Sequence, residues 1–146
     1  MTAVTAAENG VKRIIILEGS SKIMEKVRIS GGGRCNVTNA SWIPNELAEN
    51  YPRGGIKLLE SFNRFAAGDV FDWFEKRGLK LKIESDNRVF PVSNSSLDVI
   101  SCLKKAAIDK GVSISTKFFV KDILKTTDNL FKIVNSSKNS IISKNI

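Results

Sequence analysis

Four consecutive aliphatic residues near the N-terminus, Ile14 to Leu17, constrain the fold of this chain more than any other feature. A continuous apolar run of this length is typical of a parallel strand that is buried on both faces. The small-residue segment from Ala3 to Ala7 predicts a helix before it, and Asn9-Gly10 is a helix stop signal. The predicted strand ends at Glu18. A helix, a tight glycine turn, a buried strand and a terminal acid together predict the second half of a βαβ unit.

The rest of the chain alternates between helical and extended patterns, which predicts a mixed α/β domain. Apolar residues at helical spacing predict helices over Ile56 to Phe65 and Asp69 to Lys76, and a third that follows Ser93 to Ser96 and ends at Gly111. Further strands are predicted by period-two alternation and by β-branched and aromatic runs. They are Leu79 to Ile83, Arg88 to Val92, Val112 to Ser115, Phe118 to Leu124, Leu130 to Val134 and Ile141 to Ile146.

Residues 1–146 are interpreted as one partial domain with three parts. Residues 1–40 hold the end of the βαβ unit and a glycine-rich loop, and residues 41–111 form a helical insertion with short strands. Residues 112–146 form a β-meander. The expected fold class is α/β, a partial Rossmann-like domain with a mixed sheet and flanking helices.

The composition excludes several functional classes. The chain has no histidine, and its two cysteines, Cys35 and Cys102, form no CxxC, which excludes every histidine-based triad and most zinc sites. No apolar run approaches the roughly 18 residues of a membrane span, and no apolar segment of a secretory signal follows Lys12. We expect a cytoplasmic protein with no bound metal and no membrane partner.

Positive charge supports a second interpretation. The formal net charge is +8, from 23 Lys and Arg against 15 Asp and Glu, and it suits nucleic acid or an anionic cofactor. The basic residues are scattered, and the densest groups, near Lys76-Arg77 and Lys104-Lys105, lie at predicted helix ends or on solvated faces. We do not expect nucleic acid as a partner. A non-enzymatic basic binding module is the alternative function.

Glu18 is the first candidate site residue, because an acid at the end of the second strand of a dinucleotide-binding fold accepts hydrogen bonds from ribose hydroxyls. Many parallel strands end in an acid, so a purely structural Glu18 is the alternative. The glycine fingerprint of such folds lies about twenty residues before the acid, which places it at or before Met1. We expect the chain to lack the first strand and its phosphate-binding loop, and either to be poorly stable or to self-associate through the uncovered edge of Ile14 to Leu17.

Three adjacent glycines form the most unusual segment of the chain. Glycines let backbone amides approach a flat or anionic ligand closely, and the polar residues after them supply hydrogen-bond donors. A tight turn without a ligand is the alternative. Cys35 is interpreted either as a redox thiol activated by Arg34 or as a small packed residue. The candidate residues are Ser30, Gly31, Gly32, Gly33, Arg34, Cys35, Asn36, Thr38 and Asn39.

The short extended segment Arg88-Val89-Phe90-Pro91 is a third candidate. Pro91 fixes the backbone there, and Arg88 is suited to pair with an acid or to reach a ligand. A structural corner is equally compatible with this pattern. The other prominent aromatic and sulfur side chains are expected in the core. They are Trp73, Phe74, Phe118, Phe119 and Cys102.

Taken together, these segments resemble a bacterial family of NAD(P)/FAD-dependent oxidoreductases, the aminoacetone oxidase-like flavoproteins. The stretch Ile29-Ser30-Gly31-Gly32-Gly33-Arg34-Cys35-Asn36-Val37-Thr38-Asn39 is similar to the family's signature almost residue for residue. Arg88-Val89-Phe90-Pro91-Val92-Ser93 resembles a second signature. The middle section is matched by Arg53-Gly54-Gly55, Phe65, Asp69, Phe74 and Gly78.

This resemblance implies an enzyme that binds FAD and passes hydride through the flavin, with NAD(P)H as reductant and an unidentified small molecule as substrate. By position, it implies that Glu18 with Gly19 binds the FAD ribose. Lys26 and the segment from Ser30 to Asn39 would lie along the FAD toward the flavin ring, and the backbone of Val120 would contact the adenine. No residue is assigned as a catalytic acid or base.

The resemblance also implies that family members continue beyond both ends of this chain. A glycine loop would precede Met1, and an Ala-Thr-Gly-Gly turn would follow Ile146. We therefore expect a fragment of a flavin-dependent oxidoreductase, whose activity belongs to the parent enzyme rather than to the isolated chain. A non-functional remnant of that parent is the second alternative.

Overall fold

The computed structural model describes all 146 residues, and the chain forms two compact units. The first unit contains residues 1–23 and 107–146, and the second contains residues 24–106. The helices are α1 (Thr2–Glu8), α2 (Glu25–Ile29), α3 (Pro44–Glu49), α4 (Gly55–Arg64), α5 (Ala67–Glu75) and α6 (Ser96–Asp109). The strands are β1 (Ile15–Leu17), β2 (Thr38–Asn39), β3 (Leu81–Ile83), β4 (Arg88–Pro91), β5 (Ser113–Ser115), β6 (Val120–Lys125), β7 (Phe131–Asn135) and β8 (Ser140–Ser143). The predicted mixed α/β fold class is confirmed.

A parallel pair of short strands forms one part of the first unit. Ile15 of β1 pairs with Ser113 of β5, and the pairing continues to Leu17 and Ser115. Helix α1, which contributes the buried Val4, precedes β1 as the sequence pattern predicts. The prediction that β1 is buried on both faces is wrong, because Ile15 is 42% exposed. A sheet of only two strands has open edges on both sides, so solvent reaches the side chains of β1.

Three antiparallel strands in the order β6-β7-β8 complete the first unit. Ile133 in the central strand is buried, and Ile123 and Ile141 lie directly opposite it on the two neighbouring strands. The predicted hairpin turn is present between β6 and β7, where Asn129 has a φ of +58°. The next turn is held by the buried Asn135, whose Oδ1 accepts a hydrogen bond from the backbone of the residue four positions later at 2.8 Å. Both turns therefore have identifiable local causes.

The core of the second unit is centred on β4, the middle strand of the antiparallel sheet β2-β4-β3. Val89 and Phe90 are completely buried there. Helix α5 adds Trp73 and Phe74, and α6 adds Val99, through the apolar spacing that predicted these helices. Burying each such side chain stabilises the fold by roughly 1.5–3 kcal/mol. This cluster is therefore the main apolar core of the second unit.

The structure corrects several sequence interpretations. The predicted glycine-rich loop is a tight turn over Ser30–Gly33, in which Gly31 and Gly32 adopt left-handed backbone angles that a regular 3-10 helix does not contain. Helix α3, which was not predicted, begins at Pro44, a residue whose fixed φ suits a first helical turn. Phe119 is 63% exposed rather than in the core. The cause is that its neighbour Phe118 takes the buried position, since successive side chains of an extended chain point to opposite sides. Cys102 is half-buried.

The longest helix, α6, has 14 residues. No helix of the chain is both long enough and apolar enough to span a bilayer. The structure brings no three acidic or cysteine side chains into an arrangement that would hold a metal ion.

Candidate functional site

The acidic end of β1 is the first candidate region. Glu18 directly follows the strand, and its backbone N–H donates to the Ser115 carbonyl at 2.8 Å, which extends the parallel pairing by one residue. The Glu18 carbonyl accepts a hydrogen bond from the backbone of Phe118 at 2.9 Å. These bonds fix Glu18 at the carboxyl end of a parallel strand pair. Ligands of open α/β sheets bind at this end of the strands.

The Glu18 carboxylate is held in its ionised form by the turn that follows it. The Ser20 backbone N–H donates to Glu18 Oε1 at 2.8 Å. This backbone hydrogen bond is the largest cause of the lowered pKa of Glu18, and the Ser20 hydroxyl lowers it further. Because the turn engages one carboxylate oxygen, the carboxylate keeps lone pairs for the hydroxyl groups of a ligand.

An open cavity of about 550 Å³ lies beside Glu18. It is lined by residues 17–20 and 118–120, so the structure brings the predicted residues Glu18, Gly19 and Val120 together. A Cβ atom at Gly19 would lie 3.0 Å from Phe119 Cδ2, and a larger residue at position 19 would therefore displace the Phe119 ring. The cavity thus combines an ionised carboxylate, strand backbone and an exposed aromatic ring.

Phe119 is a candidate that sequence reasoning missed. Phe118 and Phe119 are adjacent aromatic residues in a predicted strand, and both were expected in the core. The residue types alone do not show which of the two is exposed. The adjacency itself was informative, because successive side chains of an extended chain point to opposite faces. When one face is exposed to solvent, one of two adjacent aromatic side chains must be exposed. The exposed ring is suited to stack on a planar ligand.

The pKa of Glu18 gives a prediction that spectroscopy can check. Since the folded state lowers this pKa, Glu18 stabilises the fold at neutral pH and loses that contribution as the pH falls below about 4 through the lowered pKa. We expect a ¹³C carboxyl titration to place the Glu18 pKa below that of an unfolded-state glutamate. Ser20→Ala should restore the pKa only in part, because the backbone N–H remains. An unshifted Glu18 pKa would contradict the hydrogen bond.

The second candidate region is the tight turn over Ser30–Gly33, here called the glycine turn. Gly31, Gly32 and Gly33 have φ values of +55°, +67° and +84°, which side chains rarely adopt. Gly31 is the most restricted of them: a Cβ atom there would lie 2.6 Å from the backbone nitrogen of Asn36. Gly32 and Gly33 face open space. The turn therefore presents bare backbone that a ligand can approach closely.

Arg34, which follows the glycine turn, is fixed by partners from distant parts of the sequence. Its Nη1 lies 2.5 Å from Glu84 Oε1, and its guanidinium carbon lies 3.9 Å from the centre of the Phe90 ring. Arg88 pairs with Asp86 at 2.6 Å and approaches the other Glu84 oxygen at 3.7 Å. Sequence reasoning missed Glu84, because alternation with two lysines placed it on a solvated strand face. Its partner lies 50 residues away.

The two segments that carry the family resemblance are hydrogen-bonded neighbours. Thr38 and Asn39 of β2 lie opposite Val89 and Arg88 of β4. Asn36 extends this contact, because its Oδ1 accepts a hydrogen bond from Val89 N at 3.3 Å. The two signatures therefore form one structural element within the second unit.

Several predicted residues of this region have local structural partners. The hydroxyls of Ser30 and Thr38 donate to backbone carbonyls at 2.8 and 3.3 Å, and Asn39 Oδ1 accepts hydrogen bonds from the turn that follows it. Cys35 is a free thiol that is 7% exposed, which favours the packed interpretation over a redox role. Lys26 lies on α2 with its side chain exposed. Neither region contains two side chains that are placed to act together as a general acid and a general base.

Comparison with known proteins agrees with the architecture. The family model described as the HI0933-like protein Rossmann domain matches residues 1–146. A curated relative, the 3-dehydro-bile acid delta(4,6)-reductase of Clostridium scindens, is 26% identical over 117 residues, which are 80% of this chain. The chain spans 28% of the length of that relative.

Among solved structures, the chain is similar to the Diels-Alderase PyrE3 of the biosynthetic pathway of pyrroindomycins. The TM-score is 0.48 and the sequence identity is 14%. The similarity covers 97% of this chain and 27% of PyrE3.

Proposed function

The chain belongs to the family of HI0933-like protein Rossmann domains, a flavoprotein-like oxidoreductase family, and from this we propose that it binds FAD as part of a flavin-dependent oxidoreductase. The family membership agrees with the resemblance and the Rossmann-like fold class predicted from the sequence. The proposal concerns the cofactor and the reaction of the parent enzyme. It rests mainly on one observation, the ionised Glu18 carboxylate beside an open cavity at the end of β1.

The residues around this cavity fit the adenosine half of FAD. Glu18 would accept hydrogen bonds from the ribose hydroxyls, since its carboxylate is ionised and one oxygen is already oriented by Ser20. Gly19 has no side chain and therefore leaves room for the Phe119 ring beside it. The Phe119 ring and the backbone of Val120 would contact the adenine, because an exposed ring and strand backbone suit a planar base.

The glycine turn and the residues after it are proposed to bind along the cofactor toward the flavin. Gly31 and Gly32 present exposed backbone, and Arg34 presents a cation that Glu84 and Phe90 hold in place. Lys26, Ser30, Asn36, Thr38 and Asn39 are assigned to this region by family resemblance. The bound flavin would supply the hydride chemistry, while these residues would position it.

The reaction class, the reductant and the location complete the proposal. The parent enzyme would take hydride from NAD(P)H and pass it to a small organic substrate that these residues do not identify. A reductant of this kind fits the cytoplasmic location expected from the sequence. The chain spans 28% of the length of a curated relative. The complete substrate site is therefore proposed for the parent enzyme and not for this chain alone.

A charge-neutral substitution at Glu18 tests the FAD proposal. We expect Glu18→Gln to weaken FAD binding about tenfold or more, because charge-assisted hydrogen bonds to the ribose are lost. Titration calorimetry and the quenching of flavin fluorescence measure the affinity. Asp128→Asn, which removes one negative charge from the exposed β6–β7 turn of the same unit, is the matched control and should bind FAD like the unmodified chain. A chain that remains colourless with added FAD, or equal affinity for both variants, would contradict the proposal.

We also propose that the chain self-associates through β1. The Ile14 carbonyl and the Glu18 N–H form hydrogen bonds with β5. Backbone groups of successive residues in a strand point to opposite sides, so the N–H and C=O groups of Ile15 and Leu17 point away from β5. An aliphatic edge with free backbone groups pairs readily with another strand. We expect concentration-dependent association in sedimentation velocity, abolished by Ile15→Lys and retained in Ile108→Lys on α6. A monodisperse monomer with a sharp thermal transition would overturn the idea.

A further inference from the structure

A second cavity, entirely within the second unit, has a different chemical character. It has a volume of about 580 Å³ and lies between α4, α5, β3 and the segment before α3. We call it the Trp42 cavity. Its main lining side chains are Trp42, Phe62, Phe71, Ile83, Asp69 and Asp72. Sites for small organic ligands have volumes of roughly 300–1,000 Å³ and mostly apolar walls, so size and lining both suit such a ligand.

The walls of the Trp42 cavity are held in place by contacts among its own lining residues. Trp42 and Phe71 pack edge to face with ring centres 5.5 Å apart. Asp69 accepts a hydrogen bond from the Ala66 backbone at 2.7 Å, which fixes the start of α5. Trp42 is nevertheless 42% exposed and Ile83 is 49% exposed. The cavity is therefore preformed, and its apolar surface is accessible to a ligand.

The charge of the lining restricts the kind of ligand. The cavity is lined by two carboxylates, Asp69 and Asp72, and by no Lys or Arg, although the chain as a whole carries a net charge of +8. Asp69 is engaged as a helix cap. Asp72 pairs with Lys76 at 3.0 Å along the exposed side of α5 and keeps a free acceptor. An anionic ligand would meet like charges at this site, whereas a neutral hydrogen-bond donor would meet acceptors.

We propose that the Trp42 cavity binds a flat, apolar small molecule that carries no negative charge and donates a hydrogen bond to Asp72. The aromatic walls would contact the ring system, and the carboxylate would orient a hydroxyl or amide group. The proposal does not depend on FAD binding, because none of the lining residues belongs to the regions assigned to the cofactor. Failure of FAD binding and failure of this proposal are therefore separate outcomes.

The two tryptophans make the test specific. In an ¹H–¹⁵N correlation spectrum the Trp42 indole N–H reports on the cavity, while the buried Trp73 serves as an internal reference. We expect naphthalen-2-ylmethanol to shift the Trp42 signal in a saturable manner and to leave Trp73 unchanged. Naphthalene-2-carboxylate has the same ring system with a negative charge, and it should bind about tenfold more weakly.

Three variants identify the groups responsible. Asp72→Asn should reduce the tenfold preference for the alcohol to about threefold, since one of the two repelling charges is removed. Glu60→Gln is the matched control, because it removes an equivalent i,i+4 ion pair, with Arg64, from α4 and should leave the preference intact. Asn63→Phe, at an exposed lining position, should fill the cavity and abolish the shift without disturbing the core. Equal affinity for alcohol and carboxylate, no saturable shift, or a shift that survives Asn63→Phe would overturn the proposal.

Discussion

Gly31→Ala is expected to destabilise the chain by about 3 kcal/mol or more, a value typical of steric strain in a fixed backbone. Two costs combine at this position. The φ of +55° disfavours any side chain, and the new Cβ would lie 2.6 Å from Asn36 N and 3.0 Å from Phe90 Cε1. Neither neighbour can move easily, because Asn36 is bonded to β4 and Phe90 is completely buried. Urea unfolding monitored by tryptophan fluorescence measures the loss.

Gly32→Ala is the matched control for this substitution. Gly32 has a similar φ of +67°, but a Cβ atom there meets no atom within 4 Å. We expect it to cost only about 1 kcal/mol, which is the backbone term alone. Equal destabilisation by the two alanines would show that strain, and not the contact with Asn36 and Phe90, explains the glycine at position 31. The comparison thus separates the two causes.

Phe90→Ala is expected to cost about 3–5 kcal/mol, because it leaves a cavity in the centre of the β2-β4-β3 sheet. Phe90 is completely buried, and it also supports the Arg34 guanidinium. Phe90→Leu should cost less, about 1.5 kcal/mol, since it keeps most of the buried volume. The same unfolding measurement orders the two variants.

Phe119→Ala provides the control for an aromatic residue outside the core. Its side chain is 63% exposed, so the free energy of unfolding should change by less than about 0.5 kcal/mol. If FAD binds as proposed, the same variant should weaken its affinity. A large loss of stability in Phe119→Ala would show that the ring has a packing role, and a small loss in Phe90→Ala would contradict the position of the core at β4.

Local patterns predicted the elements that depend on neighbouring residues. The helix before β1, the α5 and α6 helices and the hairpin at Asn129 all follow from apolar spacing and turn residues. Glu18 was also predictable, because its position at the end of an apolar strand is a local property. The left-handed conformation of the glycine turn was not, since three glycines permit many backbone conformations.

The features that sequence reasoning missed depend on distant contacts. Glu84 reads as one more charge on a solvated strand, and its pairing with Arg34 exists only because β2, β3 and β4 form one sheet. Phe119 and Phe118 are indistinguishable until the backbone shows which one faces the core. The Trp42 cavity is lined from four separate segments, and no local pattern describes such a space.

The pairing of β2 with β4 has a consequence for how this chain can change. Residues 40–87 form a long excursion whose two ends are joined by strand hydrogen bonds. Doubling the length of a flexible loop adds only about 0.6 kcal/mol to its closure cost. Insertions and deletions at the surface connections of this excursion would therefore leave the paired signatures in register. Length can therefore vary at the exposed connections of the excursion, whereas α5 and β3 within it carry core side chains.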